Sequence, residues 1–427
     1  MQMTEIKPFK AVIFNQEKIK DLSKVVCPPY DVISAQKQEY YHAIEPYNFI
    51  HILLGKDIPG EDKYQRAGKY FKDWLKAKVF TQDSAPAIYF YTQQYKVKGE
   101  TKTRLGFISL LHLDDKNPNV FKHEHTRLEA KEDRFCLIKE VKANLSPIFS
   151  VFQDKKRIIQ RVYQQHVQQM IPFIDVTDDE GTNHKLWRLD SPDVVKFMEE
   201  GMSQENIFIA DGHHRYEVAC AYRDLMKQNL GSITGKEDFN YILSYFTNTD
   251  PRGLSIFPIH RLVKLSSGFN FDSFVSAVSE YFDVEEAKDR IQFFQYLEKA
   301  GLAEHVIGAY KDKRYWLLRL KNVKILDKEI SDKSKAYRML DVSILNHLVF
   351  KKVLNLNVED KKDLTFSPHA EEFMQKIDED DSYIGFFLNP VKMEQIIEVA
   401  LGGERMPAKS TYFYPKVLSG LVINKLS

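Results

Sequence analysis

Ile207-Phe208-Ile209-Ala210-Asp211-Gly212-His213-His214-Arg215 passes from an apolar tetrad, through an Asp-Gly pair, into a polar stretch that leads to Tyr216. The tetrad reads as a short buried strand and Asp211-Gly212 as a two-residue turn. Tyr216 to Met226 reads as a helix, with Val218, Ala219, Tyr222, Leu225 and Met226 as its apolar stripe. A strand that turns within two residues into a helix is an α/β unit, so this stretch sets the fold class as mixed α/β. It also concentrates chemistry. Glycine lets backbone approach a ligand closely, and a helix start offers unpaired N–H groups and the positive end of a dipole. Arg215 adds a bidentate donor for phosphate or carboxylate. His213 and His214 can donate hydrogen bonds or shuttle a proton. Asp211 stands where a carboxylate binds Mg²⁺ or takes a proton from an attacking hydroxyl. The competing reading is structural: an Asp cap with two histidines exposed at a helix end. Zinc held by His213 and His214 together is disfavoured, because helical zinc motifs use residues i and i+4.

Outward from this turn, helical and strand periodicities alternate. Glu61 to Val79 carries Tyr64, Ala67, Tyr70, Phe71, Trp74 and Leu75 at helical spacing. Ala87–Val97 and Thr103–Leu113 are β-rich runs flanking Lys98-Gly99-Glu100, a hairpin signal. A helix is expected from about Lys156. His184 to Leu189 reads as a strand, and Ser191-Pro192 as a serine cap and first-turn proline opening the next helix. Tyr241–Thr247, Gly253–Val263, Tyr315–Leu320 and Tyr383–Leu388 read as further strands. Three regions are expected: 1–160, 161–265 carrying the turn, and 266–427. No repeat or low-complexity tract divides them.

Composition narrows the classes. The chain has 427 residues, 43% hydrophobic and 28% charged, which is ordinary globular usage and enough for several cores. Its formal net charge is +1, from 61 basic and 60 acidic residues, so the basic footprint of a nucleic-acid binder is missing. Cys27, Cys136 and Cys220 are far apart and form no CxxC pair, which argues against a disulfide framework or a cysteine zinc site. No signal peptide and no run approaching ~18 apolar residues is visible, so a soluble cytoplasmic protein is expected.

Other clusters carry candidate groups. His123-Glu124-His125-Thr126 contains an HxH pair whose side chains share one face of a strand, but HExxH is absent. Asp133-Arg134 lies downstream of it. Cys27-Pro28-Pro29-Tyr30-Asp31 is a rigid turn presenting Tyr30 and Asp31. His260-Arg261 ends a strand. Gly403-Glu404-Arg405-Met406-Pro407-Ala408-Lys409-Ser410 imitates a P-loop and fails: alanine precedes the lysine, a proline restricts the loop, and a helix precedes it where a strand belongs. Even so, Lys409, Ser410 and Thr411, with Glu404 and Lys416 nearby, are groups able to hold phosphate oxygens; a surface β-hairpin is the equal alternative. Neither GxSxG nor GxGxxG occurs.

The series PPYDVI (28–33), HEHT (123–126), DR (133–134), SPIF (146–149), IADGHHRYE (209–217), GLSIFPIHR (253–261) and GERMPAKSTYFYPK (403–416) resembles the DUF1015 family of bacterial and archaeal proteins without settled function. A shorter likeness is local: IADGHHRYEVA looks like the G-x-x-R box of the ParB/sulfiredoxin-like superfamily, which includes free-serine kinases. That resemblance implies phosphate binding by Gly212 and Arg215, lining by His213 and His214, and an acid, base or Mg²⁺ role for Asp211. It departs from the superfamily in lacking sulfiredoxin's cysteine and the DNA-binding parts of partition proteins.

The expectation is an α+β, multi-domain phosphotransferase acting on a small hydroxyl metabolite, with serine or phosphoserine implied by the resemblance. ATP or ADP and Mg²⁺ are its expected cofactors, and a homodimer is allowed. Asp211, His213, His214 and Glu124 are the catalytic candidates, and Gly212, Arg215, Lys409, Ser410 and Thr411 the phosphate-binding ones. Tyr30, Asp31, His123, Thr126, Arg134, His260, Arg261 and Glu404 are secondary candidates. Two alternatives remain: a metal-dependent phosphatase using His123, His125, Asp211, His213 and His214, and a nucleotide-binding regulatory module without turnover.

Overall fold

A computed structural model describes residues 3–114, 118–124, 128–230, 234–356 and 362–426. The candidates His125 and Thr126 lie outside the described residues. The chain forms two compact units. The first comprises 1–122, 126–255 and 415–427; the second comprises 123–125 and 256–414.

The first unit is built on a nine-stranded mixed sheet. Its strands are β1 (Ile6–Lys7), β2 (Ile88–Val97), β3 (Glu100–His112), β4 (Val120–Lys122), β5 (Ile148–Phe152), β6 (Ile174–Thr177), β7 (Asn183–Leu189), β8 (Ile207–Asp211) and β9 (Tyr241–Asn248). They run in the order β4-β8-β5-β9-β3-β2-β7-β6, with β1 paired to β3. The pairs β4–β8 and β5–β9 are parallel, and the remaining pairs are antiparallel. Lys98 and Gly99 both take positive φ, 50° and 82°, the two-residue hairpin turn expected between β2 and β3. Strands β5 and β9 are buried along nearly their whole length, and their sequences show no regular apolar–polar alternation.

Four helices matter for the site. α1 (Lys63–Lys76) starts at Asp62, whose carboxylate accepts the N–H groups of Tyr64 and Gln65 at 2.7 and 3.1 Å. It buries Ala67, Phe71 and Trp74, the expected stripe. α2 (Leu128–Val141), α3 (Pro192–Met202) and α4 (His213–Asn229) follow. Ser191 stands at the N-cap of α3 as expected, yet its side chain makes no capping hydrogen bond. The helix expected near Lys156 begins at Ile158, where Asp154 accepts the N–H groups of Ile158 and Ile159 at 2.6 and 3.2 Å.

The second unit holds a six-stranded antiparallel sheet of β10 (His260–Lys264), β11 (Phe282–Ala287), β12 (Val306–Lys311), β13 (Arg314–Leu320), β14 (Leu364–Ser367) and β15 (Tyr383–Phe387), in the order β11-β13-β12-β15-β10-β14. Two expectations are corrected here. Gly253–Val263 is not one strand: Ser255–Phe257 pairs with Tyr412–Tyr414, while β10 joins the larger sheet. Pro258, which has no N–H to donate, stands at the break. Nor do 1–160 and 161–265 form separate regions. Strands from both stretches interleave in one sheet, because β8 needs β5 and β4 as neighbours to satisfy its backbone groups. Among the described residues no helix is long and apolar enough to cross a membrane.

Gly106 in β3 lies where a Cβ would meet the Phe246 carbonyl at 2.3 Å and the Tyr245 ring at 2.5 Å. Gly106→Ala should therefore destabilise the first unit by roughly 1–3 kcal/mol, the usual overpacking cost. Chemical denaturation followed by circular dichroism checks this, and an unchanged midpoint would contradict the tight β3–β9 packing.

Candidate functional site

Strand β8 carries four buried residues, Ile207 to Ala210, and ends on Asp211. Its pairing with β5 shifts register between Ile209 and Asp211. Such a bulge re-aims the side chain that follows it. Gly212 then takes φ 89°, ψ 28° and occupies the N-cap of α4 without any side-chain cap. Its carbonyl accepts the Tyr216 N–H at 3.0 Å. A Cβ at Gly212 would lie 3.0 Å from Cζ, Nε and Nη2 of Arg215, and the φ of 89° is a conformation that glycine adopts without strain. The Asp-cap reading fails at this point: the cap position belongs to Gly212, and Asp211 faces elsewhere.

What it faces is a pair of cations. Arg215 Nη2 lies 2.7 Å from Asp211 Oδ2, and Lys416 Nζ lies 2.8 Å from Oδ1. The three side chains are only 12–17% exposed. Arg215 Nη1 also donates to the Pro147 carbonyl. Burial pushes the Asp211 pKa up, but Lys416, Arg215 and His213 together outweigh it and hold the carboxyl well below its usual range. His213 is buried and His214 half-buried in the first turn of α4. Two cations flank this carboxylate at the start of a 17-residue helix, and cationic donors at a helix N-terminus suit an anion.

Lys416 was legible only as one polar residue among several; the tertiary structure brings it here. The fully buried Arg104 donates through Nε to Gln93 Oε1 at 3.1 Å and through Nη2 to the Pro415 carbonyl at 2.6 Å. Gln93 Nε2 donates to the Lys416 carbonyl at 2.8 Å. The Arg104 guanidinium sits 4.5 Å from the Phe149 ring and 5.5 Å from that of Tyr245. Two residues on, the Tyr91 hydroxyl interacts with the Leu418 backbone and lies 2.6 Å from His184 Nδ1, whose Nε2 is 3.0 Å from Asp178. A buried lattice from β2, β3 and β7 thus fixes the backbone that carries Lys416. Its trace in the sequence is an arginine and a glutamine, residue types that are seldom fully buried, inside the β2–β3 hairpin.

Tyr30 and Asp31 lie in a single 3₁₀ turn after Pro29, and the Arg134 guanidinium stacks 4.2 Å from the Tyr30 ring centre. Burial and Asp31 push the Tyr30 hydroxyl up to about 12, against the opposing pull of Arg134 and Arg215.

The remaining candidates belong to the second unit. Glu124 Oε1 accepts the Lys409 N–H at 2.6 Å, and the His123 carbonyl accepts the Met406 N–H at 2.7 Å. Arg261, buried in β10, donates to the Lys409 carbonyl at 3.0 Å. Ser410 is buried and donates to the Pro407 carbonyl, and Thr411 is half-buried before the strand Tyr412–Tyr414. Glu404 accepts the Ser334 N–H at 3.1 Å. Burial, with Arg261 and His369, pulls His260 down to about 3, which keeps it neutral. Most of these polar groups hold the loop's own backbone together. Among the described residues no three His, Cys, Asp or Glu side chains converge on a metal position. Mg²⁺ does not fit at Asp211 either, because both carboxylate oxygens already face cationic donors.

Replacing Asp211 with asparagine keeps the shape and removes the charge between Arg215 and Lys416. Asp211→Asn should cost about 2 kcal/mol, the scale of hydrogen bonds to a charged group. Because the folded carboxyl titrates lower than the unfolded one, its contribution is complete above roughly pH 4 and fades below it. Thermal melts from pH 3 to pH 7 should show the wild type losing its advantage over the variant in acid; a constant gap would contradict the triad.

Several solved structures resemble this chain weakly. A free serine kinase variant in complex with ADP is 12% identical, with 73% of this chain and 91% of that chain covered and a TM-score of 0.35. SbnI with a C-terminal truncation, from Staphylococcus aureus, is 12% identical over 74% of this chain and 86% of its own, with a TM-score of 0.37. A conserved hypothetical protein from Pyrococcus furiosus matches at 12% identity over 73% and 92%, with a TM-score of 0.34. No curated protein matches the chain. Residues 6–343, well over half of the sequence and including the Asp211–Arg215 turn, match the model of a family described as "Protein of unknown function (DUF1015)", and the chain belongs to that family.

Proposed function

We propose that the first unit binds a phosphate group at the start of α4 and transfers it between a nucleotide and a small hydroxyl metabolite, serine and O-phosphoserine being the favoured pair. The observation that carries this reading is the convergence of Arg215 and Lys416 on Asp211 at an N-terminus opened by a glycine in left-handed conformation. Phosphoryl transfer asks a protein mainly for positioning and charge stabilisation. Gly212 lets the phosphate approach the backbone, and the two cations neutralise its oxygens. Asp211 serves in this scheme as the fixed anchor that orients both cations. A carboxylate held so far below its usual range is a poor proton acceptor near neutrality. That moves the proton-accepting role from Asp211 to His214, the less buried of the paired histidines. The reading uses residues of the first unit alone, and any Mg²⁺ travels with the nucleotide.

Phosphorus NMR of the protein with O-phosphoserine and Mg²⁺, with and without ADP, tests the assignment. ATP formed only in the presence of ADP is the expected result; free phosphate without ADP indicates a phosphatase, and no change removes serine as the substrate. Arg215→Ala should lower turnover by a factor on the order of 10² or more, the scale for losing one preorganised charge donor. Unchanged turnover in that variant, with its circular dichroism spectrum intact, would sink the role given to Arg215.

A further inference from the structure

Arg215 also lines a cavity of about 60 Å³ that lies wholly within the first unit. Leu137, Val218 and Ile242 give it an aliphatic wall, and Tyr30, Arg134, Asn144 and Ser146 join Arg215 as its polar neighbours. Arg134 is only 7% exposed and is held from several sides. Its Nε donates to Asp133 Oδ2 at 2.6 Å, its Nη2 meets the same oxygen, and its Nη1 donates to the Leu53 carbonyl at 2.7 Å. A guanidinium has five N–H donors, so this pattern leaves two of them unengaged among the described residues. Asp133 is not a dedicated counter-ion: it also accepts the Tyr64 hydroxyl at 2.9 Å and lies 3.9 Å from Lys63 Nζ. The positive charge of Arg134 is thus incompletely offset. The Tyr30 hydroxyl has no hydrogen-bond partner among the described residues and, staying protonated at neutral pH, remains a donor.

A rigid guanidinium fork beside a free phenolic donor, against an aliphatic wall, suits a carboxylate attached to a short carbon chain. The cations at the start of α4 already provide a separate place for phosphate. We propose that Tyr30 and Arg134 form the carboxylate subsite for a small aliphatic acid whose phosphorylated or hydroxyl end lies at Arg215. This assignment rests on the phosphate-site reading above and names the chemical class of the acceptor.

O-phosphoserine and phosphoethanolamine differ only by the carboxylate, so calorimetric titration with both separates the two readings. The wild type should bind O-phosphoserine at least about tenfold more tightly, the scale of a charge-assisted hydrogen bond. Tyr30→Phe and Arg134→Gln should each shrink that preference while leaving phosphoethanolamine affinity unchanged. Tyr30→Phe removes a single oxygen and keeps the test valid if Arg134→Gln disturbs packing. Equal binding of the two compounds by the wild type overturns the carboxylate subsite and leaves the phosphate site standing. A preference that survives in both variants overturns the assignment to these residues. Binding of neither compound overturns both readings.

Discussion

The Asp211 carboxylate, held between Arg215 and Lys416, joins the end of β8 and the first turn of α4 to the distant segment after Pro415. A carboxylate this enclosed is costly unless it is paired. Two cations must therefore be delivered to it, and much of the first unit can be understood as the means of delivery. Arg215 comes from the same turn, one helical step on. Lys416 comes from roughly two hundred residues away, which makes the return of the C-terminal segment to the first unit a requirement of the site. Pairing of Asn424–Lys425 with Ala143–Asn144, and of Ser419 with Cys27, secures that return.

The means of delivery is itself polar and buried, which sets a further condition. Arg104 and Gln93 can lie inside the sheet only because each meets hydrogen-bonding partners there, two of them the carbonyls of Pro415 and Lys416. The same backbone groups of the C-terminal segment would be orphaned without them. Satisfaction of buried groups and placement of Lys416 are thus one device, and loss of either side exposes the other to the full cost of desolvation.

The second unit applies the same economy to a different end. Glu124 and Arg261 resemble ligand-binding groups in the sequence, but they take the N–H and carbonyl of Lys409, whose φ of 60° puts it in the left-handed region. Polar residues in a dense motif such as GERMPAKST can hold a strained loop as readily as they hold a ligand. Residue type alone does not separate these uses.

Periodicity in the sequence was sufficient for the elements around the turn. Apolar or β-rich runs and period-3.6 patterns located the β2–β3 hairpin, α1, β8 and α4, because each depends on neighbours within a few residues. The glycine turn was equally legible, since φ 89° at Gly212 is a local demand that only glycine meets without strain. The split at Pro258 was missed because an apolar run gives no sign of which sheet its halves will join. Arg104 and Gln93 were missed, and Lys416 was singled out only as one polar group among several, for a related reason: their roles arise largely from contacts separated by hundreds of residues, and charge or amide character alone does not say what a side chain will face. Sequence by itself determined the α/β class and the strand–glycine–helix turn with its arginine. Only the tertiary structure decided that Asp211 is an anchor between two cations and that Tyr30 and Arg134 share a cavity with Arg215, because burial and long-range pairing set both.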